Sequence, residues 1–229
     1  MPVRKKVPED LTAKKALALE VIRRLKAEYP DAGCTLDYDH AWQLLVSVRL
    51  AAQCTDARVN IVVEELFAKY PSVAALAAAE PEDIEAIVKP CGLGHSKARD
   101  ISACMRMLRD KYACRVPDTF DELLALPGVG RKSANLIMGD VFGKPAIVTD
   151  THCIRLCNKI GLVDGIKEPQ KVEMALWKII PPEEGSDLCH RFVMHGRAVC
   201  NARKPECEKC CLKDICRTAR EAAGQQAEP

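Results

Sequence analysis

Residues 200–216 contain four cysteines in the spacing Cys-x6-Cys-x2-Cys-x5-Cys, at Cys200, Cys207, Cys210 and Cys216. A loop this short leaves almost no chain between the cysteines for a conventional fold. Four converging thiolates are the ligand set of a zinc ion or of an iron–sulfur cluster. A bound metal centre must therefore order this segment.

One Cys-x-x-Cys pair, Cys207 and Cys210, stands between two single cysteines. Structural zinc usually takes two such pairs or includes histidine, so the spacing favours an iron–sulfur cluster wrapped by one continuous loop. Zinc, a disulfide pair and four reduced thiols are the alternatives. Cys211 is a substitute ligand, but we expect its side chain to point away from the centre when Cys210 is bound.

The chain has 229 residues, enough for one or two domains, and thirteen cysteines. Its N-terminal stretch, MPVRKKVPEDLTAKK, resembles no signal peptide, and no apolar run reaches the length of a membrane span. We therefore expect a cytoplasmic protein, nucleoid-associated if bacterial, with no membrane partner. Eight further cysteines have apolar neighbours and are predicted to be packing residues: Cys34, Cys54, Cys91, Cys104, Cys114, Cys153, Cys157 and Cys189.

The net charge of +2 is unevenly distributed. Between Asp187 and Arg220 there are eight basic residues and four acidic ones. A basic excess around the cysteine loop is typical of a surface that binds a polyanion such as nucleic acid. A solvated surface with compensating charges is the alternative.

Helical periodicity dominates the chain before the cysteine loop, and no segment alternates like a strand, so the predicted fold class is all-α. Proline and Ser, Thr or Asp caps mark most helix ends. The last residues, 218–229, are small and polar and are predicted to be disordered. The predicted helices cover residues 11–28, 41–52, 55–70, a short stretch after Ser72, 81–88, 96–112, 118–126, 131–142, 151–160, 168–179 and 186–199.

Two glycine turns, Gly92-Leu93-Gly94 and Gly128-Val129-Gly130, are predicted to form hairpins between helices. In the second, Pro127 ends one helix and the two glycines permit positive φ. The turn opens into a helix whose first amides lack internal partners, which makes a phosphate site without sequence preference. A helix corner that merely changes direction is the alternative.

Lys132 and Asp150 are the candidate catalytic pair. Lys132 lies in the first turn of the helix after the hairpin, where the helix dipole favours the neutral, nucleophilic amine. Asp150 begins another helix and can cap Thr151, His152 or Cys153, or it can accept a proton and stabilise positive charge. Alone, the lysine is more simply a phosphate contact, and the aspartate a cap.

These motifs together resemble the endonuclease III family of bifunctional DNA glycosylases and abasic-site lyases in the helix-hairpin-helix superfamily. The similarity extends from about residue 10 to Cys216. It rests on the hairpin with Lys132, on the segment Val148-Thr149-Asp150-Thr151-His152, and on the four-cysteine loop. The resemblance implies a two-lobed fold with a DNA groove between the lobes. It also implies a six-helix barrel at 34–145 and an iron–sulfur lobe made of 1–33 and 146–229.

The resemblance further implies that Lys132 attacks C1′ of a damaged nucleotide, expels the base and forms an imine, with Asp150 as the catalytic carboxylate. β-Elimination then cuts the strand 3′ to the lesion. The four cysteines hold a [4Fe–4S] cluster, and the partner is double-stranded DNA with damaged bases or abasic sites, bound by a monomer. The implied DNA contacts are Gln53, Leu93, Gly128, Gly130, His152, Arg203 and Lys204.

Two segments depart from the family pattern and leave lesion preference open. Residues 51–54 read Ala-Ala-Gln-Cys where Ser-Ala-Gln-Ala is expected, and Gly94 stands where an aromatic residue is common. Oxidised pyrimidines are the default substrate. The alternatives are a mismatch or pyrimidine-dimer glycosylase, a monofunctional relative, or a non-catalytic DNA-binding module. Leu93 as a buried hairpin plug and His152 as a cap residue are the structural alternatives at those positions.

Overall fold

A computed structural model of the chain describes residues 11–224. These residues form twelve α-helices, three short 3-10 turns and no β-strand, which confirms the all-α prediction. No helix in the described part combines the length and apolarity needed to cross a bilayer. The helices are α1 (Leu11–Glu28), α2 (Ala41–Leu50), α3 (Asp56–Lys69), α4 (Val73–Ala78), α5 (Pro81–Val88), α6 (Gly94–Tyr112), α7 (Phe120–Leu124), α8 (Arg131–Asp140), α9 (Thr151–Ile160), α10 (Pro169–Leu176), α11 (Gly185–Ala198) and α12 (Arg217–Ala222).

The chain divides into two compact units. One consists of residues 34–144 and contains α2 to α8; the other consists of residues 1–33 and 145–229 and contains α1 and α9 to α12. The helix bounds agree with the sequence prediction to within about one turn, because most ends carry local signals. The Thr55 hydroxyl, for example, accepts the Arg58 amide at 3.3 Å, and the Ser72 hydroxyl accepts the Ala75 amide at 3.1 Å.

In the unit of residues 34–144, α6 is the longest helix, and it packs against α2, α4 and α5. Its apolar stripe includes Ile101, Met105 and Leu108, all of them buried. Helix α8 packs on α2 and α7. This arrangement places both glycine turns at the N-terminal ends of helices, the first before α6 and the second before α8.

In the other unit, α1 packs on α11, and α9 packs on α11 and α12. The first residue of α11, Gly185, lies close to the backbone of the segment that contains Ala146. A Cβ on Gly185 would lie 2.4 Å from the Ala146 carbonyl oxygen, so a larger residue would force the two segments apart. Asp150 and the cysteine loop both belong to this unit.

The predicted disorder of residues 218–229 is wrong for its first part, because α12 covers Arg217–Ala222. The Arg217 guanidinium donates to the Asn158 carbonyl at 2.7 Å, and the Thr218 hydroxyl donates to the Lys159 carbonyl at 2.9 Å. Carbonyls in the last turn of a helix lack internal partners, so these donors are held there. Residues 225–229 lie outside the described residues.

Candidate functional site

The hairpin between α7 and α8 is closed by a bond from the Val129 amide to the Leu126 carbonyl at 3.1 Å. Leu126 is buried, and Val129 packs against the core below the turn. Gly130 is the N-cap of α8, so no side chain caps this helix. Its first internal bond runs from the Ala134 amide to the Gly130 carbonyl, which leaves the amides of the first turn directed away from the helix.

The two glycines of this turn have different roles. Gly128 has φ +75°, and a Cβ there would lie 2.8 Å from Asp100 Cβ and 3.1 Å from Arg49 Cδ. Arg49 and Asp100 form an ion pair at 2.7 Å directly beside it. Gly130 does not use the positive φ that a glycine permits; its φ of −97° is the extended conformation usual for an N-cap residue. Nothing lies within 4 Å of a Cβ built at Gly130, so its amide is open to a ligand.

Lys132 is exposed in the first turn of α8. Within residues 11–224, its amine has no hydrogen bond or ion pair. The neighbouring Arg131 differs, because its guanidinium stacks over the Phe120 ring at 4.9 Å. The opposite face of α8 is anchored by Ala134 and Ile137, which are buried. The helix is therefore fixed, while the Lys132 side chain remains available to react.

Asp150 is the N-cap of α9, and its Oδ1 accepts the Cys153 amide at 2.7 Å. The segment that leads to it, Val148 and Thr149, is buried. Cys153 is completely buried, and its pKa is well above the ordinary value, with the neighbouring Cys157 thiol as the first cause. The cap therefore fixes the carboxylate at a rigid position, and its second oxygen takes no part in this bond. The capping interpretation is confirmed, and it is compatible with a chemical role.

His152, the second residue of α9, packs against α11. A Cβ on Gly196 would lie 2.4 Å from its Nδ1, so only glycine fits at that crossing. The Arg155 guanidinium lies 3.3 Å from the same nitrogen and donates to the Cys200 carbonyl at 2.7 Å. Arg155, which was missed in the sequence, thus links the helix that Asp150 caps to the cysteine loop.

All four loop cysteines line one cavity of about 50 Å³. Cys211 does not line it, as predicted; its carbonyl instead accepts a bond from Arg24 at 2.9 Å. In residues 11–224, no three His, Cys, Asp or Glu side chains converge closely enough to hold a single metal ion. Outside the loop, the prediction that Cys114 packs in the core is wrong, because it is exposed with φ +61° in the turn after α6.

His195 is a second residue that the sequence did not reveal. It is almost completely buried in α11, and burial lowers its pKa below the ordinary value. Its Nε2 lies 3.3 Å from Cys210 Sγ, and its Nδ1 lies 3.1 Å from the Tyr29 hydroxyl. If Cys210 is a thiolate metal ligand, it can only accept a hydrogen bond, and His195 would then donate from Nε2 and accept the Tyr29 hydroxyl proton at Nδ1. The sequence does contain a signal for this role, since His195 lies on the apolar face of a predicted helix that ends at the cysteine loop.

The predicted DNA-contact residues are exposed, except for His152, which is half-buried. Leu93 is 56% exposed, so its interpretation as a buried hairpin plug is wrong. Leu93 and Gln53 both have left-handed backbones, with φ of +51° and +57°. Arg203 and Lys204 are exposed in the cysteine loop, where the Lys204 amide donates to the Asn201 side chain at 2.7 Å.

Comparison with known proteins decides the family. A model of the HhH-GPD superfamily of base excision DNA repair proteins matches residues 46–182. Endonuclease III of Synechocystis sp. is 41% identical to this chain, over 91% of the chain and 95% of the relative. Endonuclease III of Escherichia coli K12 is 38% identical, over 88% of the chain and 95% of the relative. The chain belongs to the endonuclease III family.

A solved structure supports the same relationship. The trapped endonuclease III–DNA covalent intermediate matches with a TM-score of 0.86 at 40% identity, over 91% of this chain and 98% of that one. The endonuclease III family comprises base excision repair DNA glycosylases with abasic-site lyase activity, so the predicted fold and enzyme class are confirmed.

Proposed function

We propose that this chain binds double-stranded DNA, removes oxidised pyrimidines, and cuts the strand 3′ to the resulting abasic site. The observation that carries the proposal is Lys132, an exposed amine without an ion partner in the first turn of the helix after a glycine hairpin. A similar protein has been solved as a trapped covalent intermediate with DNA. A lysine that served only as a phosphate contact would give no covalent adduct.

The hairpin supports binding of the DNA backbone. The amides at the start of α8 and the helix dipole favour a phosphate oxygen, without preference for sequence. Gly130 has open space around its Cα, which permits close approach of the backbone, and Gly128 allows the turn to form. Arg203 and Lys204 supply exposed positive charge in the other unit.

In the proposed reaction, the neutral amine of Lys132 attacks C1′ of the damaged nucleotide. The glycosidic bond breaks, and the base leaves with the bonding electron pair and gains a proton. The amine then loses a proton, the C1′–O4′ bond breaks as O4′ takes up a proton, and the nitrogen lone pair forms the protonated imine with the opened sugar. Removal of a C2′ proton expels the 3′ phosphate oxygen, which cuts the strand. Asp150 is the proposed carboxylate that accepts a proton and stabilises the positive charge that develops on the sugar.

Gln53 and Leu93 are the proposed void-filling residues. Extruding a nucleotide from the duplex costs a few kcal/mol of lost stacking. A side chain that fills the gap in the duplex offsets part of this cost. Both residues are exposed, and each stands on a left-handed backbone position. His152 is a weaker candidate for DNA contact, because Gly196 and Arg155 already surround its ring.

The four cysteines that line one cavity, Cys200, Cys207, Cys210 and Cys216, are the proposed ligands of a [4Fe–4S] cluster. The spacing favours a cluster over zinc, because structural zinc usually takes two Cys-x-x-Cys pairs or includes histidine. The cavity of about 50 Å³ is several times the roughly 10–15 Å³ that one water-sized occupant needs. When bound, such a cluster would chiefly be structural and would hold the loop that carries Arg203 and Lys204.

The test uses a duplex with one oxidised thymine, incubated with the protein in the presence of borohydride. The wild-type protein should cut the strand and leave a reduced covalent adduct with the DNA. Lys132→Ala should abolish both while DNA binding, measured by gel retardation, stays largely intact. Lys111→Ala, at an exposed lysine of the same unit, is the matched control and should behave like the wild type.

An adduct that forms undiminished with Lys132→Ala would refute the proposed nucleophile. Retardation without any strand break by the wild-type protein would favour the non-catalytic module. Excision without an adduct would favour a monofunctional glycosylase, and activity on pyrimidine dimers or mismatches alone would correct the substrate. A monomeric state and a cytoplasmic location stay predictions.

A further inference from the structure

Lys97 is the one lysine that is buried among residues 11–224, with no exposed surface. It lies on α6 beside Ala98 and one turn before Ile101, both of which are buried. Burial lowers its pKa below the ordinary value. A buried lysine is unfavourable unless its ammonium has partners, so a specific set of contacts must hold it there.

Those contacts join two segments that are distant in the sequence. The Lys97 amine donates to the Leu50 carbonyl at 2.8 Å and to the Cys91 carbonyl at 2.9 Å. Leu50 is the last residue of α2, and Cys91 is the last residue of the 3-10 turn Lys89–Cys91. Carbonyls at helix C-termini lack internal partners and attract a cation, so one ammonium satisfies two helix ends at once.

Each of these carbonyls comes just before a proposed void-filling residue. Gln53 follows Leu50 by three positions, and Leu93 follows Cys91 by two. Left-handed backbone is uncommon for residues with a side chain and persists where surrounding contacts impose it. The two segments are also close to each other at Cys54 and Cys91. The pKa of Cys91 is raised to about 11, first by burial and then by the nearby Cys54 thiol.

We propose that Lys97 is a positioning residue for nucleotide extrusion: it holds the segments that carry Gln53 and Leu93 at a fixed separation, so that both side chains fill the gap as one unit. The inference rests on the proposed function of those two residues. An apolar residue of the same length would fill the space that the lysine stem occupies, but it would leave both carbonyls without a donor. The separation of the two segments would then be free to vary.

The experiment measures single-turnover excision of an oxidised thymine from duplex DNA by full-length protein. Lys97→Met keeps the stem and removes both bonds, and it should slow excision by about tenfold or more, because small misplacements are costly in catalysis. Lys97→Gln retains donors and should be intermediate. Lys111→Met makes the same change at an exposed position near the end of α6 and should leave the rate unchanged.

The decisive comparison repeats Lys97→Met in a protein that already carries Gln53→Ala and Leu93→Ala. If Lys97 acts through these two side chains, the further loss there should shrink to within about threefold, since coupled residues are not additive. Thermal unfolding of each variant checks that the protein is folded, and if the methionine variant is unfolded, Lys97→Gln provides the same comparison.

The inference is overturned by a Lys97→Met rate equal to that of the wild type. It is also overturned by a loss that stays undiminished when Gln53 and Leu93 are absent, which would assign Lys97 to general stability. Absence of excision by the wild-type protein would instead refute the proposed function itself, so the two failures are distinguishable.

Discussion

Replacing Gly128 with alanine should destabilise the protein, whereas the same change at Gly130 should not. At Gly128, alanine must adopt φ +75°, which costs about 1–2 kcal/mol for a residue with a Cβ. The new methyl group would lie 2.8 Å from Asp100 Cβ and 3.1 Å from Arg49 Cδ, and overpacking of this kind costs about 1–3 kcal/mol. The expected loss of unfolding free energy is thus about 2–5 kcal/mol.

Thermal and urea unfolding measure this loss, which corresponds to a fall of about 4–20 °C in Tm for a chain of this size. Gly130→Ala is the matched control, since its φ is −97° and a Cβ there meets nothing within 4 Å. It should keep its stability within about 0.5 kcal/mol but bind DNA more weakly, because a methyl group would stand where a phosphate approaches. Equal stability of the two variants would refute this assignment of the hairpin.

Three further predictions concern the other unit and the binding surface. Asp150→Ala removes the cap on the Cys153 amide and should lower the free energy of unfolding by about 1 kcal/mol. Asp150→Asn keeps a good cap without the charge, so it should unfold in urea like the wild type but excise the base poorly. Equal activity of Asp150→Asn and wild type would remove Asp150 from the chemistry. His195→Phe removes the contact with Cys210 and should lower the iron content per chain. Unchanged iron content and absorption would show that this contact does not stabilise the cluster. DNA affinity should fall steeply with salt because backbone contacts dominate, and affinity independent of salt would contradict the proposed surface.

The helices and the second hairpin were predictable because their signals are local. Ser72 and Thr55 cap helices through amides three residues away, and Pro127 and Gly128 define a turn over a few positions. Asp150 was identified as a cap for the same reason. Local hydrogen bonds and φ preferences depend on neighbours in the chain, and these neighbours are visible in the sequence.

The errors fall where partners are distant. Composition predicts disorder at 218–229, but α9 offers carbonyls to Arg217 and Thr218 and orders α12. The apolar side chain of Leu93 is compatible with a buried plug of the hairpin, but at the start of α6 this side chain is exposed. The polarity of a segment indicates how well water solvates it, but it does not specify which distant groups pack beside that segment in the fold.

The sequence by itself determined the helical class, the glycine hairpin with its lysine, and the cysteine spacing, since each is encoded over a few consecutive residues. Only the tertiary structure decided that Lys97 is buried between Leu50 and Cys91, and that His195 contacts Cys210. The physical reason is that burial and pairing of a polar group depend on the segments folded around it. Leu50 lies 47 residues from Lys97, and Tyr29 lies 166 residues from His195, distances over which no periodic pattern carries information.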